Sequence, residues 1–240
     1  MSTETTLTAD NPCPNGILLI DKPADWTSHD VIAVARRALG LRKIGHAGTL
    51  DPMATGLLVL LVGRQATKLQ SDFFKFPKSY KAQAHLGIET ETWDAHGATL
   101  SETIPPPVTL EQAQAEALKL TGTFEHIVPF YSAKKVFGKP MHRHMREGKM
   151  ELDEKKAVIT VYKWEDIAVD GDKINFSVNV SSGTYVRSLA YMLGRALDTV
   201  AHLSELRRTT VGDYNVGDAI TVEYLRTAPQ EELFKHIKIL

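Results

Sequence analysis

Cysteine is nearly absent from this chain: one residue in 240, Cys13, set in a polar, proline-flanked stretch. A single thiol excludes an internal disulfide framework and any cysteine-based zinc cluster, and it suits a reducing compartment. Long apolar runs are also missing. The longest, Leu57–Val62, is far too short to span a bilayer. The N-terminus, MSTETTLTADNPCPNG, has neither the basic nor the apolar region of a signal peptide. A soluble cytoplasmic protein is expected. Neither G-x-G-x-x-G nor G-x-x-x-x-G-K-[ST] occurs, so the common dinucleotide and triphosphate signatures are lacking. No sign of charge dominates either: 28 Lys and Arg stand against 29 Asp and Glu, so a polyanionic partner would have to be met by locally clustered base.

What is present is ordinary globular composition, 43% hydrophobic and 24% charged, in a length that suits one large domain or two small ones. One stretch stands out: Gly45-His46-Ala47-Gly48-Thr49-Leu50-Asp51-Pro52-Met53-Ala54-Thr55-Gly56, running straight into Leu57–Val62. The apolar run reads as a buried strand closed by Gly63. Glycine lets the backbone turn sharply or lie against a ligand, and Pro52 biases Asp51 toward an extended pose. One acid is thereby presented at the mouth of a rigid element, where catalytic groups commonly sit. An isolated Asp-Pro is also common turn chemistry, and the residues alone leave both readings open.

In chain order, Met1–Asn15 reads as a polar disordered leader. Gly16–Pro23 predicts a buried strand ended by proline, and His29–Leu39 a helix with Ser28 as N-cap and Gly40 as its stop. Arg64–Phe74 predicts a short helix and Ser79–Gly87 a strand. After the break at Ile104–Pro107, Thr109 and Gln112 form a capping-box pattern for a helix through Leu120. Lys156–Ile167 and Lys173–Val180 alternate like paired strands around Asp170-Gly171-Asp172, and a helix follows to about Leu197. Between these, Lys134, Lys135, Lys139, Arg143, Arg146 and Lys149 face a single acid, Glu147. Such a run is usually a solvated face, although it follows the aromatic pair Phe130-Tyr131. His142 and His144 lack a third ligand at metal-binding spacing, so no metal site is expected.

GHAGTLDPMATGLL closely resembles the catalytic motif of the TruB-type pseudouridine synthases, the enzymes that make tRNA pseudouridine-55. Matching segments extend from about Gly16 to Val211: Asp21-Lys22-Pro23 with Ser28; Lys78, Tyr80 and Leu86-Gly87; Thr90, Thr92, Asp94 and Gly97; Gly122–Gly138; Ser182–Arg187; and the closing Leu206-Arg207-Arg208. Two departures are visible, His126 for the usual Gln and Val128 for the usual Pro. The resemblance implies an α+β pseudouridine synthase fold, a mixed and largely antiparallel sheet with flanking helices and a basic RNA-binding insertion. It implies that Asp51 is the catalytic residue, that Arg187 pairs with it, and that Tyr80 stacks on the target uracil. Tyr185 would line the pocket, Leu206 contact the uracil, His46 fill the space left by the flipped base, and Lys22 shape the site floor. Lys134, Lys135, Arg143 and Arg146 would grip RNA. Taken singly, Tyr80 would read as a core tyrosine, Lys22 as a solvated strand-end lysine and Arg187 as a surface arginine. Residues 16–212 are the expected catalytic domain. Residues 213–240 form a short extension, too short for the PUA-type domain many relatives carry. No cofactor is implied. The expected partner is the tRNA T-arm, with no obligate protein partner, no membrane and a monomeric state. Two rivals stay open, a non-catalytic tRNA-binding module and a guide-RNA-dependent relative. A D-x-D-x-T phosphotransferase fails, because Asp51-Pro52-Met53 lacks the second acid and the apolar strand follows the loop.

Overall fold

The computed structural model describes residues 15–132 and 155–240 in full, and the backbone of 135–136 and 139–140. Cys13, residues 1–14 of the expected leader, and the side chains of Lys134, Lys135, Arg143 and Arg146 lie outside the described residues.

Strand β1 (Gly16–Lys22) is followed by α1 (Ser28–Leu39), β2 (Ile44–His46) and β3 (Thr55–Val62). Helices α2 (Arg64–Lys68) and α3 (Gln70–Lys75) lead to β4 (Lys78–Leu86), then to a hairpin of β5 (Ile88–Thr90) and β6 (Thr99–Glu102). Next come α4 (Leu110–Lys119), β7 (Gly122–Ile127), and the two-residue strands β8 (Lys135–Val136) and β9 (Lys139–Pro140). The long β10 (Lys156–Asp170), β11 (Lys173–Val180), α5 (Val186–Ala196) and β12 (Ala201–Val211) complete the centre. β13 (Tyr214–Asn215), β14 (Ile220–Thr221), α6 (Val222–Thr227), α7 (Gln230–Lys235) and β15 (Lys238–Ile239) close the described chain.

The main sheet runs β14-β1-β3-β12-β4-β11-β10-β7, with β2 beside β3, β13 beside β12 and β15 beside β1. Among the described strands, only β1–β14 and β3–β12 pair in parallel, so the architecture is α+β on a mixed, largely antiparallel sheet. β3 shows why its sequence is apolar at nearly every position. Leu58, Leu60 and Val62 pack into the core under α1, α5 and α6, while Leu57, Val59 and Leu61 pack with Ile17, Leu19, Ala66 and Phe73 on the opposite face. A strand covered on both faces has no solvent side on which to alternate. Residues 213–240 enter the same sheet through β13, β14 and β15.

Most predicted elements stand, with two corrections. Thr27, not Ser28, caps α1: its hydroxyl accepts from Asp30 N at 3.1 Å while Asp30 Oδ2 accepts from Thr27 N at 2.9 Å. The Arg64–Phe74 helix is two helices, joined at Leu69, which ends one and starts the next without a side-chain cap. Gly40 ends α1 as expected, at φ 64°, and the Thr109–Gln112 capping box opens α4.

Candidate active site

Asp51 lies in the link between β2 and β3, and that link is held by its backbone. Arg208 of β12, 1% exposed, donates from Nε to Leu57 O at 2.7 Å, from Nη2 to Gly48 O at 3.1 Å and from Nη1 to Thr49 O at 3.4 Å. Ser28, freed from capping, accepts from Leu50 N at 2.9 Å and donates to Leu50 O at 3.2 Å. Lys22 Nζ donates to Pro52 O at 3.1 Å, and to Pro23 O and Trp26 O at 2.9 and 2.7 Å. Asp25 N also reaches Pro52 O, at 2.9 Å. At the foot of the loop, Gly56 has φ 97°, and a Cβ there would sit 2.2 Å from Arg208 O. Only glycine lets β3 and β12 approach so closely. The four carbonyls around Asp51 are thus bound by groups from distant parts of the chain, leaving its carboxylate as the unit that can act. Ser28→Ala is expected to cost about 1–3 kcal/mol, because it orphans a buried N–H and C=O. Turnover should fall while RNA affinity holds. Chemical denaturation and kcat measured on the same preparation check this.

Arg187, at the start of α5 and 3% exposed, places Nε 3.1 Å from Asp51 Oδ2. Nε makes no hydrogen bond of good angle, so this contact is ionic. Nη1 donates to Thr92 O at 2.9 Å and lies 3.5 Å from Asp94 Oδ2, and Nη2 donates to Tyr131 O at 3.0 Å. Asp94 is itself fixed by Thr92 Oγ1 at 2.6 Å and His96 N at 3.1 Å. One buried guanidinium therefore serves two carboxylates and two carbonyls, the fork geometry that a lysine lacks.

Above Asp51 opens a cavity of about 240 Å³ lined by Gly48–Asp51, Lys78, Tyr80, Tyr185, Arg187, Leu206 and Arg208, among others. Tyr80 and Leu206 stand on neighbouring strands, β4 and β12, where Arg208 lies opposite Tyr80. Burial raises the Tyr185 phenol, the Ser132 hydrogen bond opposing. Of the residues singled out from sequence, Asp51, Tyr80, Tyr185, Arg187 and Leu206 meet here. His46 and Lys22 do not line the cavity. His46 packs edge-on to His29 at 5.8 Å, and burial pushes its pKa down to about 4, so it is neutral. Lys22 is fully buried, and burial brings its pKa to about 8 against the opposing pull of Asp51. A larger open cavity of about 860 Å³ shares Leu206 but is not lined by Asp51.

The pattern of the TruB family pseudouridylate synthases, N-terminal domain, matches residues 36–186, and that of the tRNA pseudouridylate synthase B C-terminal domain matches 187–238. The chain belongs to the TruB family. Among its relatives, the tRNA pseudouridine synthase B of Aromatoleum aromaticum is 44% identical over 90% of this chain and 70% of its own length. That of Opitutus terrae is 39% identical over 93% and 92%. Among solved structures, a chain of a Cbf5–Nop10–Gar1 complex superposes with a TM-score of 0.70 at 28% identity, over 93% of this chain and 60% of that one.

Three residues of this TruB-family site were quoted from sequence without a role: Asp94, Arg208 and Lys78. A fourth, Ser28, was assigned a different one. Their partners are carbonyls and charges far away in sequence, which no local spacing reveals. Among the described residues, no group of three or more His, Cys, Asp or Glu is placed to hold a metal ion. No helix among them is long and apolar enough to cross a membrane. A surface hollow between Arg36, Lys43, Arg64 and Lys68 is lined by four cations and no acid.

Proposed function

We propose that the chain isomerises uridine 55 in the T-loop of tRNA to pseudouridine, with Asp51 as the catalytic carboxylate. The observation that carries this reading is Asp51 on the floor of a base-sized cavity, ion-paired to the buried Arg187. The reaction breaks N1–C1′, turns the uracil and rejoins it through C5. The nucleotide must leave its stack to be reached, and a 240 Å³ cavity is small for a whole cofactor but suits a single base. Asp51 acts at the sugar, by adding to C1′ or by taking the C2′ proton. Both routes need a carboxylate at fixed distance, which the buried Arg187 guanidinium holds in place. Tyr80 and Leu206 hold the ring between them, and Tyr185 closes the side. No redox or phosphate-activation step occurs, so no cofactor and no metal are required. tRNA is the partner, and the chain acts as a monomer without an obligate protein.

Cbf5 complexes share the fold, but the identity to the tRNA pseudouridine synthase B relatives, 39–44%, exceeds the 28% to the Cbf5 chain. This favours direct action on tRNA over guidance by a second RNA. The test is tritium release from [5-³H]uridine-labelled T-arm RNA by the purified chain alone. Release supports the reading. Tight binding without release would leave a binding module or a guide-dependent relative.

Phosphate neutralisation falls to the basic insertion. Replacing Lys134, Lys135, Arg143 and Arg146 by Ala is expected to weaken tRNA binding and to flatten the log K against log[salt] slope by up to about 3. Filter binding from 50 to 200 mM salt measures it. An unchanged slope would remove the insertion from the contact and leave the Arg36, Lys43, Arg64 and Lys68 surface to supply it.

A further inference from the structure

Two lysines are buried near the Asp51 loop, and their amines are bonded differently. Lys22 Nζ meets three carbonyl oxygens, of Pro23, Trp26 and Pro52. Three acceptors use every N–H of an ammonium, so that amine has no lone pair to offer. Lys78, 6% exposed, meets only two, Phe74 O and Phe76 O, each at 2.7 Å. A neutral amine satisfies two acceptors with its two N–H bonds and keeps its lone pair for a third direction. Lys78 lines the cavity that holds Asp51. It is two residues before Tyr80 on β4, so both side chains leave the strand on the same face, about 7 Å apart along it.

We propose that Lys78 is the general base that removes the C5 proton in the last step of the isomerisation. The assignment rests on reading this cavity as the uridine site. Once C5 has bonded to C1′, that carbon carries both the sugar and its original hydrogen. The Lys78 lone pair takes the proton and becomes an ammonium. The C5–H electron pair forms the C5=C6 double bond, and the C6=N1 pair moves to N1, which takes a proton from solvent. Lys78 then returns its proton to solvent, and nothing is oxidised or reduced.

The other titratable groups lining the cavity are less suited. Asp51 is placed at the sugar, Tyr80 is engaged by its ring against the face of the base, Arg187 and Arg208 do not lose protons, and the Tyr185 phenol is raised by its burial. Burial, with the charge of Arg208 from β12 adding to it, lowers Lys78 to about 8, so a working fraction is neutral near physiological pH. Tyr80 faces the cavity from the same strand, Asp51 from its loop, and Arg187 and Tyr185 from the start of α5. The end of α3 presents the backbone carbonyls of Phe74 and Phe76.

The test uses the full chain with T-arm RNA carrying either uridine or [5-²H]uridine. Lys78→Arg keeps a cation and donors for the two carbonyls but cannot become a neutral base. It is expected to lower kcat by roughly 10²-fold or more with KM little changed, and to show a larger deuterium isotope effect than wild type. Lys78→Ala is expected to regain turnover with added methylamine, in proportion to the free base. Lys78→Arg with kcat within about three-fold of wild type would overturn the proposal, since a fixed cation would then suffice. Slowed variants with an unaltered isotope effect and no amine rescue would overturn it as well, reducing Lys78 to a support for the end of α3. If wild type itself gives no product, the uridine reading fails and this proposal with it. Product from wild type beside an active Lys78→Arg sinks the base assignment alone.

Discussion

Asp51→Asn is expected to lower product formation by roughly 10³-fold or more, while tRNA affinity changes by less than about three-fold. The separation follows from how the loop is held. Its carbonyls are gripped by Arg208, Ser28 and Lys22, and none of those bonds involves the Asp51 side chain. An amide of the same size therefore leaves the loop in place. Arg187 keeps Asp94, Thr92 O and Tyr131 O when the Asp51 charge goes, so it is not stranded in the interior. The Asp51 side chain is 35% exposed, so its replacement should shift unfolding free energy by no more than about 1 kcal/mol. Only the ionised oxygen at the cavity floor is lost. Tritium release, filter binding and a melting curve on one preparation separate these effects. Turnover persisting in the variant would end the catalytic assignment of Asp51, and a collapse of stability would recast it as a structural group.

The elements were legible where one physical pattern ruled. β3 is apolar throughout because both its faces are covered, and α4 opens on a capping box written in four consecutive residues. Where two patterns competed, the reading slipped. Thr27 and Ser28 are both good caps. The box closed on Asp30, three residues after Thr27, and Ser28 was left to clamp Leu50, a contact 22 residues away that no local rule supplies. β12 carries register shifts at Leu203/Glu205 and Arg208/Thr210 that break the alternation of its faces. The cavity itself could not be derived from spacing. Tyr80 and Leu206 meet because β4 and β12 are neighbours, and Arg187 reaches Asp51 because a short link joins the end of β11 to the start of α5. Family likeness supplied those juxtapositions. It did not say that Lys22 is bonded to three carbonyls, or that Arg208 braces the loop from below.

Arg187→Met is expected to damage fold and function together, which distinguishes it from Asp51→Asn. Methionine fills a similar volume but takes the cation away from the Asp94 carboxylate, 8% exposed, and removes the guanidinium donors to the carbonyls of Thr92 and Tyr131. Removing one partner of a buried ion pair costs roughly 3–5 kcal/mol, because the remaining charge stays desolvated. For a chain of this size each kcal/mol shifts Tm by about 2–4 °C, so a fall of about 10 °C is expected. Arg187→Lys should recover little, since a single ammonium cannot reach two carboxylates and two carbonyls arranged for a planar fork. The decisive comparison adds Asp94→Asn to Arg187→Met. The second change removes the stranded charge, so the double variant should be more stable than Arg187→Met alone, a non-additivity that a surface arginine would not show. Activity should not return with stability, because Asp51 would still lack the guanidinium that aims its carboxylate. A Tm unchanged in Arg187→Met would mean that the buried fork is not what joins α5, the Thr92–Asp94 turn and the Asp51 loop.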